Sequence, residues 1–192
     1  MKNKMALIFI AVMALVLTGC GAGQQDSKEN EEEASEYAQA LDVLNAVVDT
    51  YAEEDLFSMY GGDSEHAVMD APGTFDIQKK EELTDTFGFP ESEYDKIDGA
   101  ASMVHMMNAN TFTGVVYHLK DSTDMDAFAD ALKENVLSKQ WVCGQPDTLV
   151  LMRVGNAYVI AVYGEAGLVE TFQTNVLSAV DGAQVMTETP IV

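Results

Sequence analysis

Arginine is almost missing from this chain. Arg153 is the only one among 10 basic residues, set against 32 acidic ones in 192 residues, for a net charge of −22. A clamp of several arginines for phosphate or carboxylate is therefore excluded, and the net field repels nucleic acid and anionic membrane surfaces. The longest uncharged apolar run at the N-terminus, Met5 to Leu17, has 13 residues, short of the roughly 20 that a membrane-spanning helix needs. Two cysteines, Cys20 and Cys143, allow one disulfide at most. Signatures of chemistry are missing too: there is no His-Glu-x-x-His zinc site, no Gly-x-Ser-x-Gly elbow, no phosphate loop and no dinucleotide fingerprint. The chain is also too short for the usual two-lobed solute-binding architecture, and no cofactor is expected.

What is present begins at the N-terminus. Lys2 and Lys4 give a basic start, Met5 to Leu17 an apolar run, and small residues follow, the three-part pattern of a secretory signal peptide that is removed. The tetrapeptide Leu17-Thr18-Gly19-Cys20 resembles the lipobox of bacterial lipoproteins. That resemblance implies signal-peptidase recognition of Leu17, Thr18 and Gly19, loss of residues 1–19, and a diacylglyceryl group on Cys20. The expected location is extracytoplasmic, with the protein anchored to the cell membrane by lipid, since two acyl chains hold where one does not. Loss of the two leader lysines takes the net charge to −24. Cys143 is then the sole thiol. Its apolar neighbours, Trp141-Val142-Cys143-Gly144, raise a thiol's pKa and point to a small buried hydrophobe rather than a nucleophile.

Residues 20–35 are small and polar, with Glu31-Glu32-Glu33, and read as an acidic flexible tether. Residues 36–180 are enough for a single domain. Within them, Tyr37, Leu41, Leu44, Val48 and Tyr51 recur at helical steps and predict an amphipathic helix from Glu36 to about Met59. A short helix is expected over Lys79–Phe87, stopped by Gly88 and Pro90. Ala101–Met107 and Thr111–Leu119 read as a hairpin around Asn108-Ala109-Asn110. A helix follows, with Thr123 and Asp126 as its capping box. Thr148–Val154 and Ala157–Tyr163 form a second hairpin about Gly155-Asn156, and Gly167–Val180 a last helix. Residues 181–192 show no pattern and are expected to be a disordered tail.

The order strand, strand, helix, strand, strand, helix predicts an α+β domain: an antiparallel sheet of about four strands in a ββαββα order, helices on one face, preceded by an N-terminal helix. The lipobox, the Tyr94-Asp95-Lys96-Ile97-Asp98-Gly99 turn before a Met-containing hairpin, and the Gly155-Asn156-Ala157-Tyr158-Val159 hairpin together resemble a family of small Gram-positive lipoproteins that share one C-terminal domain of unknown function. The likeness spans residues 41–180. It implies a fold and a location but no activity and no catalytic residue.

Three constellations carry chemistry in prospect. Met103, His105 and Met107 would share one face of a strand, where thioethers beside an imidazole suit Cu(I). With Met107 opposite Phe112, His105 faces Gly114 and His118 faces Ala101, so the alternative is a Met-rich core strand. Asp121, Asp124 and Asp126 lack the glycine and distal glutamate of a calcium loop and fit a helix N-terminus better. His66, beside Glu65 in a loop, has no identifiable partner and reads as solvated. Tyr117, Tyr158 and Tyr163 are strand aromatics that belong to the core, its rim or an exposed face. The functional expectation is a non-catalytic, lipid-anchored binding or accessory module of the cell envelope, touching the membrane through Cys20 and an envelope protein through a sheet face or edge strand. A small envelope hydrolase and a metal or small-ligand carrier are the competing classes. A concave pocket with convergent polar groups would favour either of these over a flat contact surface.

Overall fold

A computed structural model describes residues 37–192. Residues 1–19 and 20–35, and with them Leu17, Thr18, Gly19 and Cys20, lie outside the described residues. No described helix is long and apolar enough to cross a membrane.

The elements, in order, are α1 (Ala40–Val48), β1 (Met59–Gly61), β2 (Val68–Met69), β3 (Gly73–Phe75), α2 (Lys80–Phe87), β4 (Ile97–His105), β5 (Phe112–Leu119), α3 (Met125–Leu137), β6 (Thr148–Val154), β7 (Tyr158–Gly164), α4 (Ala166–Ala179) and β8 (Ala183–Pro190). The eight strands make one sheet in the order β2-β1-β4-β5-β7-β6-β8, with β3 also paired to β4. Every pairing is antiparallel.

This corrects the sheet of about four strands with helices on one face. The central strands are apolar at odd and even positions alike: all of β7 is buried, as are Leu149 to Met152 of β6. Such strands need cover on both sides, and they have it. On one face α2 and α3 contribute Leu83, Phe87, Phe128, Leu132 and Val136 against Val115, Tyr117, Leu151 and Tyr163. On the other, α1 and α4 contribute Val43, Leu44, Val47, Val169, Phe172 and Val176 against Met103, Val116, Val150 and Ile160. Tyr117, Tyr158 and Tyr163 are all fully buried, none on an open face.

The four additional strands carry little periodic signal. β1, β2 and β3 are two or three residues long, and β8 is an edge strand of mixed polarity with no fully buried residue. β8 occupies the segment expected to be a disordered tail: backbone pairing to β6 along its whole length, from Val154↔Ala183 to Thr148↔Pro190, orders it without an apolar stripe.

The first helix is shorter than its spacing predicts, ending at Val48 with Asp49 as its C-cap. Continuing it would stack Asp49, Glu53, Glu54 and Asp55 at the end of the helix that carries negative partial charge, with like charges one turn apart. Instead Thr50 Oγ1 donates to Val47 O at 2.7 Å, satisfying a terminal carbonyl. α2 ends as expected, on Gly88 in the left-handed region. The N-cap of α3 is Asp124 rather than Thr123: its carboxylate accepts from Ala127 N–H at 3.1 Å. The hairpin register also differs. Ala101 pairs with Val116, Met103 with Gly114 and Gly99 with His118, a shift of two residues, and a bulge falls between Ile97 and Gly99.

Candidate functional site

Two glycines determine where the site begins. Gly61 on β1 and Gly73 on β3 lie back to back, so that a Cβ on Gly61 would fall 2.0 Å from Gly73 N and one on Gly73 would fall 2.6 Å from the Gly61 carbonyl carbon. No other residue permits that approach. Ser102, buried on β4, fastens the same turn: its Oγ accepts from Gly62 N–H at 3.0 Å and lies 3.3 Å from Gly62 O as donor. The chain leaves this clamp at Asp63.

Asp63 is a buried carboxylate, its side chain 1% exposed. Oδ1 accepts from Lys79 Nζ at 2.9 Å and from Glu65 N–H at 2.9 Å, and Oδ2 accepts from Asp76 N–H at 3.3 Å. His66 adds its backbone N–H at 3.3 Å and its ring Nδ1 at 3.2 Å. Burial pushes the Asp63 carboxyl up, but hydrogen bonds from Lys79, Glu65, His66 and Asp76 outweigh it and hold the group well below the usual carboxylate range. Desolvation pulls Lys79 down, while its bonds to Asp63 and Glu65 raise it above the ordinary lysine value. Lys79 Nζ also reaches Glu65 Oε1 at 3.0 Å. One carboxylate thus ties the turn after β1, the segment after β3 and the start of α2 together.

A second aspartate–histidine pair comes from the sheet. His118 on β5 sits opposite Gly99, and the bulge in β4 carries Asp98, whose Oδ1 meets His118 Nδ1; a bulge re-aims a side chain in this way. The His118 ring packs 4.8 Å from that of Tyr158, whose hydroxyl donates to Tyr37 O at 2.8 Å and so holds the entry to α1 against the sheet.

Both pairs line one cleft of about 660 Å³, with α1 residues Ala40 and Leu41, the preceding Ala38 and Gln39, Thr74 and Phe75 of β3, then Asp76, Ile77, Gly99 and Ala100. An ionised carboxylate only accepts, so each Nδ1 carries a proton, and in the neutral form of each ring Nε2 is left as a lone-pair acceptor. The cleft is therefore equipped to orient a ligand or to take a proton from one. Among the described residues no group of three or more His, Cys, Asp or Glu is placed to hold a metal ion.

The residues singled out in sequence are placed differently. Met103 is fully buried in the core under α1 and α4. β4 ends at His105, so Met107 is not on the strand face that Met103 and His105 share, and it is 83% exposed. His105 stacks on Phe57 at 5.4 Å, and its Nδ1 accepts from Met107 N–H at 3.2 Å. That nitrogen is spent on the turn, and the neutral ring's other nitrogen then carries the proton. Cys143 is exposed, with φ at 64°, because Asn108 and Asn110 hold the surrounding loop by its carbonyls and turn it outward. His66 has a partner after all in Asp63, three residues earlier. The one signal that could have found it was Asp-x-x-His after a Gly-Gly pair; nothing in the sequence joined it to His118, 52 residues further on.

Comparison of the chain with protein-family models, with curated proteins and with solved structures gives no match.

Proposed function

We propose that this protein is an extracytoplasmic, lipid-anchored binding protein whose cleft between α1, β3 and the β4–β5 bulge takes a small ligand. The observation that carries the reading is the cleft itself: about 660 Å³, within the range of small-molecule sites, with apolar walls and a few convergent polar groups. Leu41, Phe75, Ile77 and Ala100 supply the walls; His66 and His118, each oriented by an aspartate, supply the polarity. This favours the small-ligand carrier, a competing class in the sequence reading, over the envelope-protein contact module expected first. The β8 edge carries Glu188 and Pro190, residue types that blunt strand addition. Among the described lining residues Thr74 bears the only hydroxyl, so a hydrolase here would have to work through the aspartates and histidines.

Thr74 is exposed on β3 and lines the cleft, so Thr74→Trp should fill it while keeping a strand-favouring side chain. A thermal-shift screen of small polar metabolites on the full chain should find a ligand that stabilises the parent and not Thr74→Trp. Equal stabilisation of both would put the ligand elsewhere. The anchor has its own test: Cys20→Ser should move the protein from the membrane to the soluble fraction, and retention on membranes would end that part of the proposal.

A further inference from the structure

We propose that the cleft takes a small organic cation bearing a primary ammonium group. The inference rests on the ligand-site reading above and follows from which polar atoms remain free. Asp63 has no spare capacity, because its oxygens already receive Lys79, the His66 ring and three backbone N–H groups. Asp76 accepts Gln78 N–H through Oδ1 at 2.9 Å, which leaves Oδ2. Asp98 bonds His118 through Oδ1, which also leaves Oδ2. The two histidines contribute Nε2 in their neutral form. These four atoms are all acceptors.

Donors are scarce by comparison. Among the described residues no lysine or arginine lines the cleft, the Gln39 amide and the Thr74 hydroxyl being its uncharged side-chain donors, and Lys79, behind Asp63, has its ammonium engaged by both Asp63 and Glu65. A carboxylate or phosphate entering here would meet lone pairs and negative charge with no free cation to receive it. A neutral alcohol would bring few donors and no charge. An ammonium group brings three donors and the complementary sign, and Leu41, Phe75 and Ile77 would cover the carbon chain attached to it.

The test uses three five-carbon probes that differ only in their end groups: 1,5-diaminopentane, 1,5-pentanediol and glutarate. Each is titrated calorimetrically into the full chain in uncharged detergent at physiological ionic strength. Saturable binding of the diamine is expected, weakened about tenfold or more by Asp98→Asn through loss of a charge-assisted contact. Asp181→Asn removes the same unit of charge from an exposed residue outside the cleft and should leave the affinity unchanged. Equal weakening by both substitutions would overturn the proposal, because the diamine would then be answering the net charge of the protein. Binding of the diol or glutarate without the diamine would also overturn it, while leaving the cleft as a ligand site. Silence from all three probes would overturn the cation assignment, and only the Thr74→Trp comparison then decides whether the cleft binds anything.

Discussion

The two aspartate–histidine pairs look alike in composition and differ in construction. In one, the aspartate is buried and the histidine free: Asp63 is 1% exposed and His66 68%. In the other both partners are half in water, Asp98 at 48% and His118 at 33%. Asp63 receives donors from three separate segments and fastens them together, so its charge is a structural component. Asp98 touches one ring and keeps an oxygen free, so its charge is available to a ligand. The difference shows that a carboxylate in a cleft is not a ligand group by position alone; what matters is how many of its lone pairs the protein has already used.

Several substitutions would break that contrast. The largest effect should come from the clamp beneath Asp63. Gly61→Ala drives a methyl group into the Gly73 backbone, and we expect a loss of about 3 kcal/mol or more in urea unfolding. An alanine tolerated there without loss would mean that the two glycines do not set the position of Asp63. Next, Asp63→Ala leaves three part-buried backbone N–H groups and the Lys79 ammonium without their acceptor and should cost about 2–3 kcal/mol, whereas Asp98→Ala should cost under about 1 kcal/mol because its pair is exposed and solvent-screened. Similar losses at both positions would erase the distinction between the pairs.

The pH dependence sharpens it further. The folded-state pKa of Asp63 lies below its unfolded value, so its contribution is fully present above the ordinary carboxylate range of about 4 and is lost as pH falls toward the folded value. Stability of the parent should therefore fall steeply below about pH 4, and the slope should flatten in Asp63→Asn but not in Asp98→Asn. An unchanged slope in Asp63→Asn would show that other carboxylates carry the acid sensitivity. The smallest effect is expected at His66: its replacement by Ala should change stability by about 0.5 kcal/mol or less, since the ring is exposed and Lys79 still neutralises Asp63. A loss comparable to that of Asp63→Ala would make His66 part of the hub.

Local pattern was enough for several elements. The apolar steps at Met125, Phe128, Ala129, Leu132 and Val136 gave α3, Gly88 gave the end of α2, and the run around Gly155-Asn156 gave the β6–β7 hairpin, in which Ala157 N–H closes on Val154 O at 3.4 Å. These features depend on residues three or four apart, whose geometry the backbone supplies. Tyr51 shows the limit: it keeps the helical spacing of Tyr37 to Val48, yet the acids that follow Val48 end α1 before it.

The sequence by itself determined a chain poor in arginine and rich in acid, its α+β character, the two central hairpins and the helices that follow them. It also supplied the basis of the lipobox proposal, because signal peptides and lipoboxes are linear in the chain. Tertiary structure alone decided that helices cover both faces, that β8 joins the sheet, and that Asp63, His66, Asp98 and His118 meet in one cleft. Those outcomes depend on hydrogen bonds and close backbone approaches between segments far apart in sequence, such as Gly61 against Gly73 and Asp98 beside His118. A bulge or a shift of two residues in register relocates such groups without altering the local pattern from which a sequence is read.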